Sequence, residues 1–270
     1  MKRIIFTLLY KDGYFTQSRN FRNQNVGDIK WLFKNYNFSN ISQGIDEIIL
    51  LNISSDKNYS SKFLNIISEI SKKCFVPIAA GGQINDIATA EDYIKSGAEK
   101  LVINSLLFKK PNEYIKISKK FGSQCLIANI DILKSIKNNK NIFNLYSNSS
   151  QIKINFNLNQ WVNKAKECGA GEILIQSIYR DGTGKGIDTD ILKSIKKNLD
   201  LPLIVMGGIG NKNHLHQALK YDQIDAVSTA NLLNFVGSTF NSFRKELLKK
   251  NLPLVQWDEK KFLTLKNYFK

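Results

Sequence analysis

The sequence is poor in the residues that hold metal ions. It has two histidines and three cysteines. His214 and His216 stand two apart on a predicted helix, so they do not share a face and read as surface residues. Cys74, Cys125 and Cys168 have no metal-ligand spacing, and the apolar, strand-like surroundings of Cys74 and Cys125 predict buried free thiols. No metal site is expected. There is also no run of about 18 apolar residues, which excludes a membrane-spanning helix of ordinary length. The apolar stretch before Lys11 and Asp12 is too short for a signal peptide, so a cytoplasmic protein is expected. The glycines form no nucleotide fingerprint behind the first strand, which argues against a dinucleotide-binding fold; no cofactor is expected.

Acidic residues are few. Lys and Arg number 39 against 23 Asp and Glu, a formal charge of +16. Such a balance can attract nucleic acid, anionic lipid or phosphorylated metabolites. The lysines, however, are spread over nearly every predicted helix, as Lys62, Lys95, Lys119, Lys164, Lys193 and Lys249 illustrate. Solvated helix faces account for most of the charge, and neither a nucleic acid nor a membrane is expected as partner.

What the chain does have is an alternation. Eight short apolar runs, Arg3–Leu9, Glu47–Ile53, Val76–Ala80, Lys100–Asn104, Cys125–Ile130, Glu172–Ser177, Pro202–Met206 and Asp225–Thr229, are separated by amphipathic stretches. Continuous apolar runs are typical of parallel strands buried on both faces. Tyr59–Lys73 sets Phe63, Ile66, Ile67 and Ile70 at helical spacing, and Asp188–Asn198 sets Ile191, Leu192 and Ile195 so, behind a cap at Asp188. Eight strand–helix alternations close naturally into a (βα)8 TIM barrel. The single barrel is expected over 1–250, with a basic C-terminal extension over 251–270 and a long loop or small hairpin over Ser135–Asn157.

The second half of the chain echoes the first. GIDEIILLNISSD from Gly44 matches GAGEILIQSIYRD from Gly169, VPIAAGG ending at Gly82 matches LPLIVMGG ending at Gly208, and LVINSLLF from Leu101 more loosely matches AVSTANLLNF from Ala226. A twofold half-barrel repeat explains matches in phase. Ligands of such barrels sit at the C-terminal strand ends. Gly81–Gly82 and Gly207–Gly208 stand there, where backbone N–H groups can approach phosphate, beside Asn104–Ser105 and Ala230–Asn231. Two such clusters predict a ligand phosphorylated at both ends. RDGTGKG, from Arg180 to Gly186, adds a candidate anion loop with Gly182, and with Asp181 and Thr183 available to bond ligand hydroxyls. Asp131 ends the fifth strand, where a carboxylate can serve as general acid or base. At the opposite strand ends, Arg3, Glu47, Lys100 and Glu172 predict a ring of ion pairs on the barrel floor, either a structural plug or a gate for something small.

The segments KRIIFTLLYKDG, GIDEIILLNIS, GAEKLVINS, FGSQCLIANID, GAGEILIQSIYRDGT and LPLIVMGGIG together resemble the cyclase subunit of imidazole glycerol phosphate synthase, the HisF family, from Lys2 to about Leu248. The resemblance implies a lyase-type barrel in a glutamine amidotransferase complex. A glutaminase (HisH-like) subunit would dock on the floor, and ammonia would pass through the barrel. It would there meet a bis-phosphorylated ribulosyl intermediate, giving imidazole glycerol phosphate and an aminoimidazole carboxamide ribotide in histidine biosynthesis. It assigns the ammonia gate to Arg3, Glu47, Lys100 and Glu172, partner contact to Glu99, and phosphate binding to Gly82, Asn104, Asp181, Gly182, Gly208, Ala230 and Asn231. Of the family's two catalytic aspartates, the second is Asp131, but the first falls on Leu9. The repeat also sets Leu9 opposite Asp131. Gln17 stands at a family lysine position and Asn52 at an aspartate position. Leucine moves no proton, so reduced or altered cyclase activity is expected. The resemblance extends to HisF-like paralogues that work with a glutaminase and a sugar amidotransferase in surface-polysaccharide biosynthesis.

Overall fold

The computed structural model describes residues 1–56, 58–147, 151–196, 199–231 and 239–255. Its strands, in chain order, are β1 Arg3–Lys11, β2 Tyr14–Arg19, β3 Arg22–Gly27, β4 Glu47–Asn52, β5 Ile78–Gly81 and β6 Lys100–Ile103. There follow β7 Leu126–Lys137, β8 Lys140–Ser147, β9 Ile152–Ile154, β10 Glu172–Ser177, β11 Leu203–Met206 and β12 Ala226–Thr229. Eight of these, β1, β4, β5, β6, β7, β10, β11 and β12, pair in parallel in that order. The ring is closed by pairing of β12 with β1, where Arg3 meets Ala226. Each of the eight predicted runs overlaps one of these strands; the chain folds as a (βα)8 TIM barrel.

Alternation along each strand sorts the side chains into two cores. Ile4, Phe6 and Leu8 of β1 face the helical layer. Ile5 and Leu9 face the barrel interior with Ile49, Leu51, Val102, Ile127 and Leu174. Burial of each such side chain contributes about 1.5–3 kcal/mol, and both faces of every barrel strand are used. The helix Tyr59–Ser71 buries Phe63, Ile66, Ile67 and Ile70 as its periodicity predicts. The helix capped by Asp188 is shorter than its pattern, Thr189–Ser194, and residues 197–198 lie outside the described residues.

The seam between chain ends is tied by charge. Arg244, on the helix Thr239–Lys249, is fully buried and grips Asp46 with both terminal nitrogens, at 2.6 and 2.9 Å. Asp46 also accepts the Ile4 N–H at 2.8 Å, and Arg244 Nη2 donates to the Val255 carbonyl at 2.9 Å. The chain after that helix then lies along the N-terminus, with Lys2 N donating to Pro253 O at 3.0 Å. The start of the expected extension thus packs on the barrel, with Leu252 and Leu254 buried; residues 256–270 lie outside the described residues.

Two antiparallel excursions interrupt the barrel, one after the first strand of each half. β1 turns into β2 through Asp12 and Gly13, both at positive φ, the type I′ arrangement that suits strand twist. β2 returns as β3 through Asn20 and Phe21, again both positive. In the second half β7 continues to Lys137 and returns as β8 and β9, so of the loop or small hairpin expected over 135–157 it is the hairpin that forms, extended by a third strand; residues 148–150 lie outside the described residues. Cys125 corrects the expectation of a buried thiol: it sits in a 3-10 turn before β7 and is half-buried, whereas Cys74 and Cys168 are buried.

Candidate functional site

The floor of the barrel is a closed square of charges. Arg3 Nη1 lies 3.0 Å from Glu47, and Arg3 Nη2 pairs with Glu172. Lys100 Nζ lies 3.1 Å from Glu47 and 2.6 Å from Glu172. Each cation therefore touches both anions, and the ring is neutral. The carboxylates are the inner members, 2% and 10% exposed, while the Arg3 and Lys100 side chains are 22% and 20% exposed. Burial pushes Glu47 up, and the cations Lys100 and Arg3 offset only part of it. Burial acts the same way on Glu172, but there the hydrogen bond and charge of Arg3, with Lys100, win and hold it below the usual range. Glu47 Oε1 is buried without a hydrogen-bond partner in the protein. Glu99, one residue before Lys100, is exposed on this end.

Above the floor the interior is apolar and then polar. Ile5, Ala79, Ile127 and Ile204 belong to the inner cluster. Beyond them Thr7 and Ser228 share a buried hydrogen bond of 2.6 Å, and the buried Asn129 has its Oδ1 unpartnered. Sequence reading missed this polar band. Its only signal is a polar residue at an inward position of an otherwise apolar strand.

At the mouth, Leu9 and Asp131 lie on strands four places apart in the eight-strand ring, hence on opposite walls. Both are inward and buried, Leu9 at 4% and Asp131 at 2% exposure. Asp131 Oδ1 accepts from Asn104 Nδ2 at 3.4 Å, and Asn104 Oδ1 is buried without a partner. Asn52 is different from what its position in the sequence suggests. It is buried behind the glycine turn rather than on the lumen: its side chain accepts from Ser54 N at 3.1 Å, and its carbonyl lies against Gly82.

The two glycine turns have the same construction. Gly82 has φ +95, and a Cβ there would meet the Asn52 carbonyl at 1.9 Å. Gly208 has φ +90, and a Cβ there would meet the Gly186 carbonyl at 2.1 Å. Both positions combine left-handed backbone with close approach, which only glycine tolerates. A pocket opens at the second turn, and Gln17, Asp181, Gly182, Gly208, Ala230 and Asn231 are among the residues that line it. Asn104 and Ser105 stand beyond the end of β6, near the first turn. The remainder of the AVSTANLLNF echo, from residue 232, lies outside the described residues.

Asp181 and Thr183 both make hydrogen bonds within the protein, and Asp181 also lines the pocket. Thr183 Oγ1 donates to the Arg180 carbonyl of its own turn at 2.8 Å. Asp181 is 3% exposed and accepts from Ser18 Oγ at 2.5 Å and Phe21 N at 3.0 Å, while its carbonyl accepts from Asn20 N. It clamps the β2–β3 turn to the rim. Burial pushes its carboxyl up, against the downward pull of those hydrogen bonds. No group of three or more potential metal ligands occurs among the described residues, and none of the described helices is long and apolar enough to cross a membrane.

Comparison with known proteins places these features in a family. The family model described as histidine biosynthesis protein matches residues 3–237. A protein of Parasynechococcus marenigrum, provisionally named imidazole glycerol phosphate synthase subunit hisF2, is 38% identical over 95% of this chain and 94% of its own. Imidazole glycerol phosphate synthase subunit HisF of Methanocaldococcus jannaschii is 31% identical over 94% of this chain and 98% of its own. The subunit so named in Dictyoglomus thermophilum is 33% identical over 84% of this chain and 87% of its own.

Proposed function

The chain belongs to the histidine biosynthesis protein family, and from that membership we propose that it is the HisF-like synthase subunit of a two-component glutamine amidotransferase. A glutaminase docks on the floor beside Glu99, and ammonia passes Arg3, Glu47, Lys100 and Glu172 into the barrel. It is used at the mouth, beside a phosphorylated ligand held at Gly82, Asn104 and Ser105 on one side and at Gly182, Gly208, Ala230 and Asn231 on the other.

Chemistry supports the path. A neutral ring of paired charges repels a free ammonium ion less by net charge than by leaving it no unpaired anion to join. Neutral ammonia needs only small polar contacts, such as those of Thr7, Ser228 and Asn129. Glu47 Oε1, buried in the ring without a hydrogen-bond partner in the protein, is an acceptor for an N–H of ammonia on that path.

The observation that carries the finer reading is an asymmetry. All four floor charges are present and paired, yet the wall opposite Asp131 presents Leu9. An alkyl side chain neither donates nor accepts a proton, and loss of one acid–base group costs about 10²–10⁴-fold in rate. The imidazole-forming cyclisation is therefore impaired, and the ammonia serves amidation of a sugar in surface-polysaccharide biosynthesis, in concert with a sugar amidotransferase. The second reading is a slow imidazole glycerol phosphate synthase cyclase using Asp131 alone. The extent of similarity to the HisF subunits favours that one. Complementation of a cyclase-deficient, glutaminase-competent strain separates them. No growth without histidine is expected, and growth at the rate of an authentic cyclase would refute the sugar-amidation reading.

A further inference from the structure

The ribbon β2–β3 stands at the rim, pinned there by Asp181 through Ser18, Asn20 and Phe21. Pairing sets Arg19 directly opposite Arg22, and Gln17 opposite Gln24. In a strand every second side chain shares a face, so these four lie on one face of the ribbon. Two guanidinium groups and two carboxamides are thus gathered with no carboxylate among them. Like charges directly opposite in an antiparallel pair are destabilising. Neither Arg19 nor Arg22 has an ion-pair partner among the described residues, and the Asp181 carboxylate at the rim is committed to the ribbon turn. An unrelieved repulsion in a ribbon so firmly clamped calls for an anion from outside.

A groove of about 410 Å³ lies at this ribbon, and all four of these side chains line it, together with Ser18 and Gly182. Its size is that of a small-molecule site. It shares Gln17, Ser18 and Gly182 with the pocket at Gly207–Gly208, so the two adjoin. We propose that the groove is an additional phosphoryl site, in which the Arg19 and Arg22 guanidinium groups fork onto one phosphoryl group while the neighbouring one occupies the glycine pocket. Arg binds phosphate in just this bidentate manner, and charge-assisted bonds of this kind are the strong ones. The ligand accordingly carries a diphosphate on this side of the mouth, its two phosphoryl groups adjacent, whatever group Gly82, Asn104 and Ser105 hold on the other side. A ligand with single phosphates at opposite ends would leave the arginine pair unfilled. The inference rests on the mouth being a phosphate site.

The test is calorimetric titration with inorganic pyrophosphate and with inorganic phosphate at about 0.15 M ionic strength, where exposed charges beyond about 8 Å are screened. The natural chain is expected to bind pyrophosphate at least about 10-fold more tightly than phosphate, a difference of about 1.4 kcal/mol. Arg19→Gln/Arg22→Gln is expected to erase that preference and leave phosphate binding within about twofold, since the glycine pocket is untouched. Arg19→Glu converts the repelling pair into an attracting one; it keeps the ribbon folded and is expected to erase the preference too. A natural chain that binds phosphate but does not prefer pyrophosphate, or a preference that survives both variants, overturns the arginine site alone. A natural chain that binds neither anion overturns the phosphate reading of the mouth along with it.

Discussion

Replacement of Lys100 by Met tests the floor where its geometry is most demanding. Lys100 contacts Glu47 at 3.1 Å and Glu172 at 2.6 Å, so Lys100→Met turns a neutral ring into one with two carboxylates and a single cation, Arg3. Removing one partner of a fully buried pair costs about 3–5 kcal/mol, and the 20% exposure of Lys100 discounts this to about 2–3 kcal/mol. For a chain of this size that is a fall in Tm of about 4–12 °C. The loss depends on pH in a defined direction. Burial already raises Glu47, and loss of Lys100 raises it further. A carboxyl raised in the folded state favours folding when protonated, and that advantage is lost as pH rises through the raised value. The deficit of Lys100→Met relative to the natural chain is therefore expected to be smaller at pH 5 than at pH 7.5, by circular dichroism melts at both. An unchanged Tm at pH 7.5, or a deficit that widens in acid, would refute the ring as the holder of the floor.

Three further outcomes follow from the mouth. Gly208→Ala puts a Cβ at φ +90 within 2.1 Å of the Gly186 carbonyl, so phosphate affinity should fall about 10-fold or more with a stability loss of about 1–3 kcal/mol; calorimetry and urea unfolding check both. Asp181→Ala removes the acceptor of Ser18 Oγ and Phe21 N, and hydrogen exchange over 14–27 should speed markedly, because bonds to a charged acceptor are each worth about 1.5–3 kcal/mol. Asp181→Asn should cost less than Asp181→Ala. Because burial raises Asp181, its own contribution to stability is full below the ordinary carboxylate range and declines as pH rises through the raised value; a pH series of melts should lose that slope in Asp181→Asn.

Legibility in the sequence followed how local each feature is. The eight barrel strands were readable because each is buried on both faces, which leaves a continuous apolar stretch such as IILL within Glu47–Asn52 or LIVM. The floor charges were readable because Arg3, Glu47, Lys100 and Glu172 each open a strand, and strand starts of a parallel barrel share one end. The β2–β3 ribbon was missed although Asp12–Gly13 carried a hairpin signal; β3 is largely exposed and polar, so no apolar alternation marks it. Without the ribbon, the clamp made by Asp181 was not readable either, since its partners Ser18 and Phe21 are distant in sequence. The opposed arginines were hidden for the same reason, because only the register of the two strands sets Arg19 against Arg22. The burial of Asn52 behind Gly82 likewise depends on a contact between neighbouring strand ends.

The proposed change of reaction rests on position 9, where Leu9 lies in the barrel interior. The direct measurement is turnover of the bis-phosphorylated ribulosyl intermediate with an ammonium salt, by the natural chain and by Leu9→Asp, with folding of both checked by near-ultraviolet circular dichroism. Little turnover is expected from the natural chain and at least about a 10-fold gain from Leu9→Asp, the low end of what an acid–base group contributes. Equal rates from the two proteins, with the natural chain already fast, would contradict the claim that an alkyl group at this wall has changed what the barrel does.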